Sequence, residues 1–219
     1  FFVMPDSVAY GEGRSWDDAI SLTKLLDFLN QGTLTQNVTI YISEGIYKPT
    51  NTNDRNITFK LDNVILRGGY SISSMGVDTL MRNIDSFQTI LSGDIGQPQE
   101  TFDNSYHVVT SYRNVLIDGL TIRDGRASCS SYGNTPGFYI FKPEDNGGGV
   151  YIPGSQSVTI RNCRIINNSA WNSGGGIFCR FTSQLQIYNT DICNNAIQQT
   201  LITSGGIFNI CVNGNGGGI

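Results

Sequence analysis

An internal repeat in the last third of the chain is the feature that most constrains its fold. A shift of 27 residues superimposes three separate blocks of sequence: 147–152 on 174–179, 158–162 on 185–189, and 165–170 on 192–197. Further copies of the glycine motif that opens the repeat begin at Gly205 and Gly216. A period of this length is typical of solenoid proteins, in which each unit buries its apolar face only by stacking on its neighbours.

Each repeat consists of short β-branched segments separated by Gly, Asn, Asp and Ser, the residues that favour tight turns. Three such strands in a unit match one coil of a parallel β-helix, whose successive coils lie about 4.8 Å apart. We therefore predict an all-β fold, a right-handed single-stranded parallel β-helix of the pectin-lyase-like kind. Earlier strands are predicted at residues 38–42, 57–61, 64–66, 89–91, 107–110 and 115–122.

Alternation along these strands assigns their side chains to faces. Inward stacking is expected for Val158 with Leu185, Ile160 with Ile187, and Val150 with Ile177. Tyr151 and Phe178 are expected to form a second ladder on the opposite face of their strand. Asn162 and Asn189 fall at a repeated turn, where their amides can hydrogen-bond from one coil to the next.

One helix is predicted, ahead of most of the strands. Ser15 is its expected N-cap, Asp18 three residues later gives a capping-box-like start, and the apolar spacing ends near Gly32. We expect a single domain, in which residues 1–37 form an N-terminal segment with this capping α-helix and residues 38–219 form the coils.

A long loop at residues 126–146 is expected to leave the solenoid, and it carries most of the candidate binding residues. Exposed aromatic rings in such a loop can stack on sugars or anchor a protein partner, and the alternative is that the loop packs onto the solenoid wall. The candidate binding residues are Tyr132, Phe138, Tyr139, Phe141 and, on a later turn, Trp171.

Charge and hydropathy argue against nucleic acid as a partner and against a membrane-spanning segment. The net charge of −4 and the pI near 4.9 give no basic surface for nucleic acid. No apolar run approaches the roughly 18 residues of a transmembrane segment.

Because residues 216–219 repeat the start of the glycine motif, we expect further coils beyond them and a chain that is part of a longer polypeptide.

The five cysteines form no CxxC pair, and His107 is the single histidine, so we expect neither a metal site nor a cofactor. Cys163, Cys179 and Cys193 are predicted to be reduced thiols that point inward or pack in turns. His107 lies within a predicted strand, where an ordinary structural role is expected.

The repeat resembles that of bacterial polymorphic outer-membrane proteins, which pair an FxxN element with a GGAI element. The counterparts are residues 165–168 before 174–177, and 192–195 before 205–207, with Ile in place of Phe. The first half resembles bacterial surface β-helix proteins through segments such as 44–47 (EGIY). The resemblance implies an exported protein at the bacterial cell surface or outside the cell.

Two functions are compatible with these features. The leading hypothesis is a non-catalytic module for adhesion, display or partner binding, with a glycan or a surface protein as partner. The alternative is a carbohydrate-active enzyme, a polysaccharide lyase or glycoside hydrolase, with a cleft on the solenoid flank. Glycoside hydrolysis needs two converging carboxylates. The carboxylates whose placement discriminates between these functions are Asp94, Asp118, Asp124 and Asp191.

Overall fold

Parallel strands make up most of the regular structure. The computed structural model describes residues 1–32, 36–71, 81–128, 142–154, 157–180 and 184–198. These ranges contain one α-helix, α1 (Leu22–Gln31), a 3₁₀ turn at Pro143–Asp145, and eighteen strands. The first nine strands are β1 (Phe2–Val3), β2 (Val38–Ser43), β3 (Gly45–Tyr47), β4 (Phe59–Leu61), β5 (Val64–Tyr70), β6 (Thr89–Ser92), β7 (Val109–Ser111), β8 (Val115–Asp118) and β9 (Thr121–Arg123). The others are β10 (Arg126–Ala127), β11 (Val150–Ile152), β12 (Ser157–Arg161), β13 (Arg164–Ile166), β14 (Ser169–Ala170), β15 (Ile177–Cys179), β16 (Gln184–Tyr188), β17 (Asp191–Cys193) and β18 (Ala196–Ile197).

The strands form four sheets, and every strand pairing among them is parallel. Sheet 1 has the order β1-β2-β5-β8-β12-β16, sheet 2 is β3-β6-β9-β13-β17, sheet 3 is β10-β14-β18, and sheet 4 is β4-β7-β11-β15. From β8 onward the chain passes through sheets 1, 2, 3 and 4 in a constant order. The predicted all-β fold of parallel strands is therefore confirmed.

The register predicted from the repeat is also confirmed. The paired residues are Val158 with Leu185, Ile160 with Ile187, and Val150 with Ile177. The rings of Tyr151 and Phe178 lie parallel, with centroids 5.8 Å apart. Strand β8 continues the same alignment 43 residues upstream, because Ile117 pairs with Ile160. The inward side chains of the sheets join one apolar core, and Ile117 and Ile160 are fully buried in it.

The connections between sheets differ in length. Two-residue turns join sheet 1 to sheet 2 at 119–120, 162–163 and 189–190, and join sheet 2 to sheet 3 at 124–125, 167–168 and 194–195. The first residue of each turn has a positive φ: Gly119, Asn162, Asn189, Asp124, Asn167 and Asn194. Gly, Asn and Asp adopt this conformation most readily, which explains their repetition. The connection from sheet 3 to sheet 4 varies, spanning residues 128–149 in one case and 171–176 in the next.

The helix begins later than predicted, because its N-cap is Ser21 and not Ser15. The Ser21 hydroxyl accepts the N–H of Lys24 at 3.4 Å. Asp18, the expected capping-box residue, instead accepts the N–H groups of Glu12 and Arg14, each at 3.2 Å. Ile20 is held in extended conformation by a parallel bridge to β1, a strand that the sequence did not predict. The predicted helix end is confirmed, since the helix stops at Gln31.

The loop predicted at 126–146 begins slightly later than expected. Strand β10 occupies its first two residues and pairs with β14. The 3₁₀ turn occupies residues 143–145 near its end, and residues 129–141 lie outside the described ranges. The glycine motifs at 205–208 and 216–219 also lie outside them.

Candidate functional site

A groove of about 980 Å³ lies between helix α1 and the first strands of sheets 2 and 4. One wall consists of residues 5–7 and the α1 side chains Leu22, Thr23, Leu26, Asp27 and Asn30. The opposite wall consists of residues 46–51 and 56–60. Such a mixture of apolar surface with a few polar groups is typical of binding sites.

The groove carries charges of both signs. Lys48 and Lys60 lie on the strand wall, and Asp6 and Asp27 lie on the opposite wall. The Lys48 Nζ is 3.8 Å from a carboxylate oxygen of Asp94, which makes a long and partly exposed ion pair. The groove therefore presents no single sign of charge to a ligand.

The floor and the rim of the groove are apolar. Tyr47 is buried in the floor, where its hydroxyl lies 3.0 Å from the Ser43 hydroxyl and donates to the Ser43 carbonyl oxygen at 3.1 Å. Burial raises the pKa of Tyr47, so its phenol stays neutral. Ile46 and Ile57 remain 51% and 37% exposed at the rim. They offer apolar contact to whatever enters the groove.

Asp118, one of the four discriminating carboxylates, is held by cations on the outer side of sheet 1. It accepts hydrogen bonds from Arg82 at 2.8 Å, Arg161 at 2.9 Å and Asn162 at 2.9 Å. Burial by itself would raise the pKa of Asp118, but these hydrogen bonds outweigh it and hold the pKa below its usual value. A carboxylate with a lowered pKa and two arginine partners anchors the segment around Arg82 and is poorly suited to act as a general acid.

Asp94, Asp124 and Asp191 are the other three carboxylates whose placement distinguishes the two functions, and each contacts different residues. Asp94 pairs with Lys48, while Asp124 lies 3.1 Å from the Nε of Arg123 and accepts the Ser92 hydroxyl at 2.9 Å. Asp191 is exposed in β17, beside Arg164 in the register of sheet 2. Asp118, Asp94 and Asp124 are therefore each engaged by a cation.

A second, smaller cavity of about 200 Å³ lies along the turns between sheets 1 and 2. Two exposed carboxylates, Asp85 and Asp191, contribute to its lining, together with Arg164. Asp85 was not a candidate from sequence, because nothing in its local pattern distinguishes it from other loop carboxylates. If the chain is a carbohydrate-active enzyme, Asp85 and Asp191 are the candidate carboxylates of its cleft.

His107 lies two residues before β7 and not within a strand as predicted, but its contacts are those of a packed ring. Its ring stacks on that of Tyr151, with centroids 4.7 Å apart, and its Nδ1 donates to the Gly147 carbonyl oxygen at 2.9 Å. Burial lowers the pKa of His107 to about 4, even though the bond to Gly147 and the charge of Glu144 act in the opposite direction. The imidazole is thus neutral at physiological pH and packs as an aromatic ring.

Of the five predicted binding residues, only Trp171 lies within the described ranges. Tyr132, Phe138, Tyr139 and Phe141 lie outside the described ranges. Trp171 is half-buried directly after β14, where its main-chain N–H donates to the Ala127 carbonyl oxygen at 2.7 Å. Trp171 is not part of the lining of either cavity.

The groove residues themselves carry no recognisable motif. The sequence signal that could have indicated them is the polar run at residues 50–56, Thr-Asn-Thr-Asn-Asp-Arg-Asn, which separates β3 from β4 and is too long for a tight turn. Loops of this length on a rigid scaffold often take part in binding. Their closeness to α1 depends on packing that the sequence pattern does not encode.

Three cysteines fall within the described ranges, and all three are free thiols. Cys163 is buried, and burial raises its pKa to about 11, while Cys179 and Cys193 are half-buried. Among the described residues no group of three or more His, Cys, Asp and Glu side chains is placed to hold a metal ion. In the same part of the chain no helix is long and apolar enough to cross a membrane.

No family model, curated protein or solved structure matches the chain. Its chemistry is therefore inferred from the groove, the smaller cavity and the ion-pair cluster around Asp118.

Proposed function

We propose that the four sheets are the sides of a right-handed single-stranded parallel β-helix of the pectin-lyase-like kind. The constant order of sheets from β8 to β18 supports this, as does the pairing of each repeat with the next at a spacing of 27 residues. Helix α1 acts as a cap, since Leu22, Leu25 and Leu29 belong to the same core as the strands. A crystal structure tests the proposal, and left-handed crossovers or a break between sheets would contradict it.

We infer that the chain is a non-catalytic module of an exported or cell-surface protein, used for adhesion, display or partner binding. The observation that carries this inference is the open groove beside α1, whose walls offer apolar contact and both signs of charge. The commitment of Asp118 to two arginines supports a non-catalytic role. The resemblance of the repeat to those of bacterial surface proteins supports export. Protease treatment of intact cells tests the location, because it cleaves only protein that is exposed at the cell surface.

A binding screen tests this function. The whole chain is labelled and applied to arrays of glycans and of cell-surface proteins, and hits are quantified by calorimetry. A ligand of the groove should bind at least tenfold more weakly to the double variant Ile46→Asp and Ile57→Asp. The matched control is Phe102→Ser, which removes an exposed aromatic ring outside the groove and should leave binding unchanged. Absence of any ligand, or release of reducing ends from a bound glycan, would contradict the proposal.

The smaller cavity favours one second candidate, a carbohydrate-active enzyme. Asp85 and Asp191 line the same cavity, and two carboxylates near one sugar are the minimum for glycoside hydrolysis. The test is incubation with acidic and neutral polysaccharides, followed by assay of reducing ends and of the unsaturated products of lyases. Activity that is abolished by both Asp85→Asn and Asp191→Asn would establish this candidate in place of the first.

A further inference from the structure

The first strand of each sheet leaves an edge, and three of these edges are covered. In sheet 1, the outer side of β1 is covered, since the N–H of Phe2 donates to the Gly13 carbonyl oxygen at 2.9 Å and the Phe2 carbonyl oxygen accepts the N–H of Ile20 at 3.1 Å. In sheet 4, helix α1 packs on β4, and the Asn30 side chain donates to the Lys60 carbonyl oxygen at 3.2 Å. In sheet 3, the N–H of Arg126 in β10 donates to the Ser105 carbonyl oxygen at 2.8 Å. Proteins commonly protect edge strands in these ways, because an open edge can pair with another chain.

The edge of sheet 2 differs, because it faces the groove. The N–H of Gly45 donates to the Gln88 carbonyl oxygen at 3.0 Å, so Gly45 and Tyr47 direct their main-chain groups toward β6. Alternation along a parallel strand then turns the N–H and C=O of Ile46 to the opposite side. Within the described ranges no strand pairs with β3 on that side.

Among the described residues, the segment that could occupy the position beside β3 turns away from it. Strand β1 lies beside β2 at the edge of sheet 1. If the chain after β1 entered sheet 2 in the way that β2 leads into β3, it would lie beside β3. Pro5 interrupts that course, since it lacks an N–H for the ladder and its carbonyl oxygen accepts the N–H of Val8 in a turn at 2.9 Å. The Pro5 ring packs against Gly45, where an added Cβ would lie 2.6 Å from it. The groove thus extends from Pro5 along the rest of β3.

We propose that this groove receives an extended segment of a partner polypeptide, which adds to sheet 2 as a strand beside β3. The main chain of the segment would pair with the N–H and C=O of Ile46. Its side chains would alternate between the exposed Ile46 and Ile57 on one face and the α1 wall on the other, where Thr23 and Asp27 are accessible. This mode of recognition selects a short segment with apolar residues at alternate positions and no proline at the paired ones.

The inference rests on the proposed partner-binding function and narrows the partner to a polypeptide. A glycan lacks the alternating N–H and C=O groups of a strand, so it cannot satisfy the Ile46 main chain in the same way. A second copy of the chain would have to present an extended segment of its own, which self-association at high concentration would reveal.

A displayed peptide library tests the inference directly. Random twelve-residue peptides on phage are panned against the whole folded chain, and enriched sequences are synthesised. We expect apolar residues at alternate positions. We also test peptides that are N-methylated at one position each. Methylation at alternate positions should reduce affinity at least tenfold, and methylation at the positions between them should change it less than threefold. This period of two follows from the ladder, because alternate N–H groups point away from the partner strand.

Two measurements on the protein locate the bound peptide. Peptide binding should slow hydrogen exchange of the Ile46 amide at least tenfold. The variant Ile46→Pro removes that N–H, which donates to no other described residue, and should abolish binding, while Ile46→Val keeps it. If Ile46→Pro does not fold, the methylation series on the unaltered protein still distinguishes strand addition from other modes of binding.

Several results would overturn the inference. These are the absence of enriched peptides, a methylation series without a period of two, an Ile46 amide that exchanges as fast with peptide as without, or self-association through this edge. A ligand from the binding screen that binds Ile46→Pro as tightly as the unaltered chain would remove strand addition and leave the proposed function standing.

Discussion

Single residues of this chain show how burial decides the role of a charge. Asp118 is only 1% exposed, yet it remains ionised because Arg82 and Arg161 approach it from two sides. Asp62 makes an equally short ion pair with Arg113, but that pair is open to solvent. Water screens the exposed pair and competes for its hydrogen bonds, so the two pairs differ in their contribution to stability.

Replacing Asp118 by Asn should lower the free energy of unfolding by about 2–3 kcal/mol, because charged hydrogen bonds to two arginines are lost. Urea denaturation measures the change. Asp62→Asn is the matched control and should have little effect. Since the pKa of Asp118 is lowered by folding, its contribution is complete above the unfolded value of about 3.9 and is lost as the pH falls through the folded pKa. A pH dependence in acid that is unchanged in Asp118→Asn would contradict this account.

His107 should titrate with a pKa of about 4 in the folded chain. The unfolded chain takes up its proton near pH 6.5, so the free energy of unfolding should fall as the pH drops from about 6.5 toward the folded pKa. Because His107 is the sole histidine, its imidazole resonances can be followed by NMR without ambiguity. His107→Phe keeps the ring stack on Tyr151 and should lack this pH dependence. An imidazole that titrates near 6.5 would show that the ring is not desolvated.

At the scale of elements, asparagine ladders join successive strands at two turns. Asn189 donates to the Asn162 side chain at 2.8 Å on the surface. The other ladder is internal, where the fully buried Asn168 accepts the N–H of Gly125 at 2.9 Å and donates to Ile122 at 3.1 Å and to Asn195 at 3.1 Å. The internal ladder satisfies main-chain groups that water does not reach, so it should matter more for stability.

Asn168→Ala should destabilise the chain by about 3 kcal/mol, because several buried groups lose their partners at once. Asn189→Gly is the comparison variant, since glycine tolerates the positive φ of that position while removing the exposed amide. It should cost less than about 1 kcal/mol. Thermal and urea denaturation of both variants give the ranking, and a reversed order would refute the distinction between the ladders.

Strand register and turn positions were predictable from sequence, but the groove was not. The repeat revealed the pairing of Ile160 with Ile187 because inward positions must stay apolar and turn positions must tolerate positive φ. The helix start was mispredicted because Asp18 caps a local turn instead of α1. The groove depends on how α1 packs against β4, a contact between segments about 30 residues apart that leaves no periodic signal.

At the scale of the whole molecule, stability should follow the stacking of strands. Ile117 is fully buried between Leu66 and Ile160 of the neighbouring strands in sheet 1. Ile187, in the equivalent position of β16, is half-buried. Each unit of a stacked protein is stabilised by its neighbours, so the same substitution should cost more at Ile117.

Ile117→Ala should lower the free energy of unfolding by about 3 kcal/mol through lost burial and a new cavity, and Ile187→Ala by about 1 kcal/mol. Urea denaturation at equal protein concentration measures both. Similar losses at the two positions would mean that Ile187 is as well enclosed as Ile117 and that the burial gradient along sheet 1 has no energetic counterpart.

The unequal connections between sheets determine where this chain can change length over evolutionary time. A residue inserted into the turn at 162–163 would shift the next strand by one position and exchange its inward and outward side chains, so such an insertion should destabilise the fold. The connection from sheet 3 to sheet 4 already differs in length between neighbouring repeats, and the strands after it keep their register. Foreign peptides grafted there should be carried without loss of folding, which makes this connection the natural place for diversification and for engineered display.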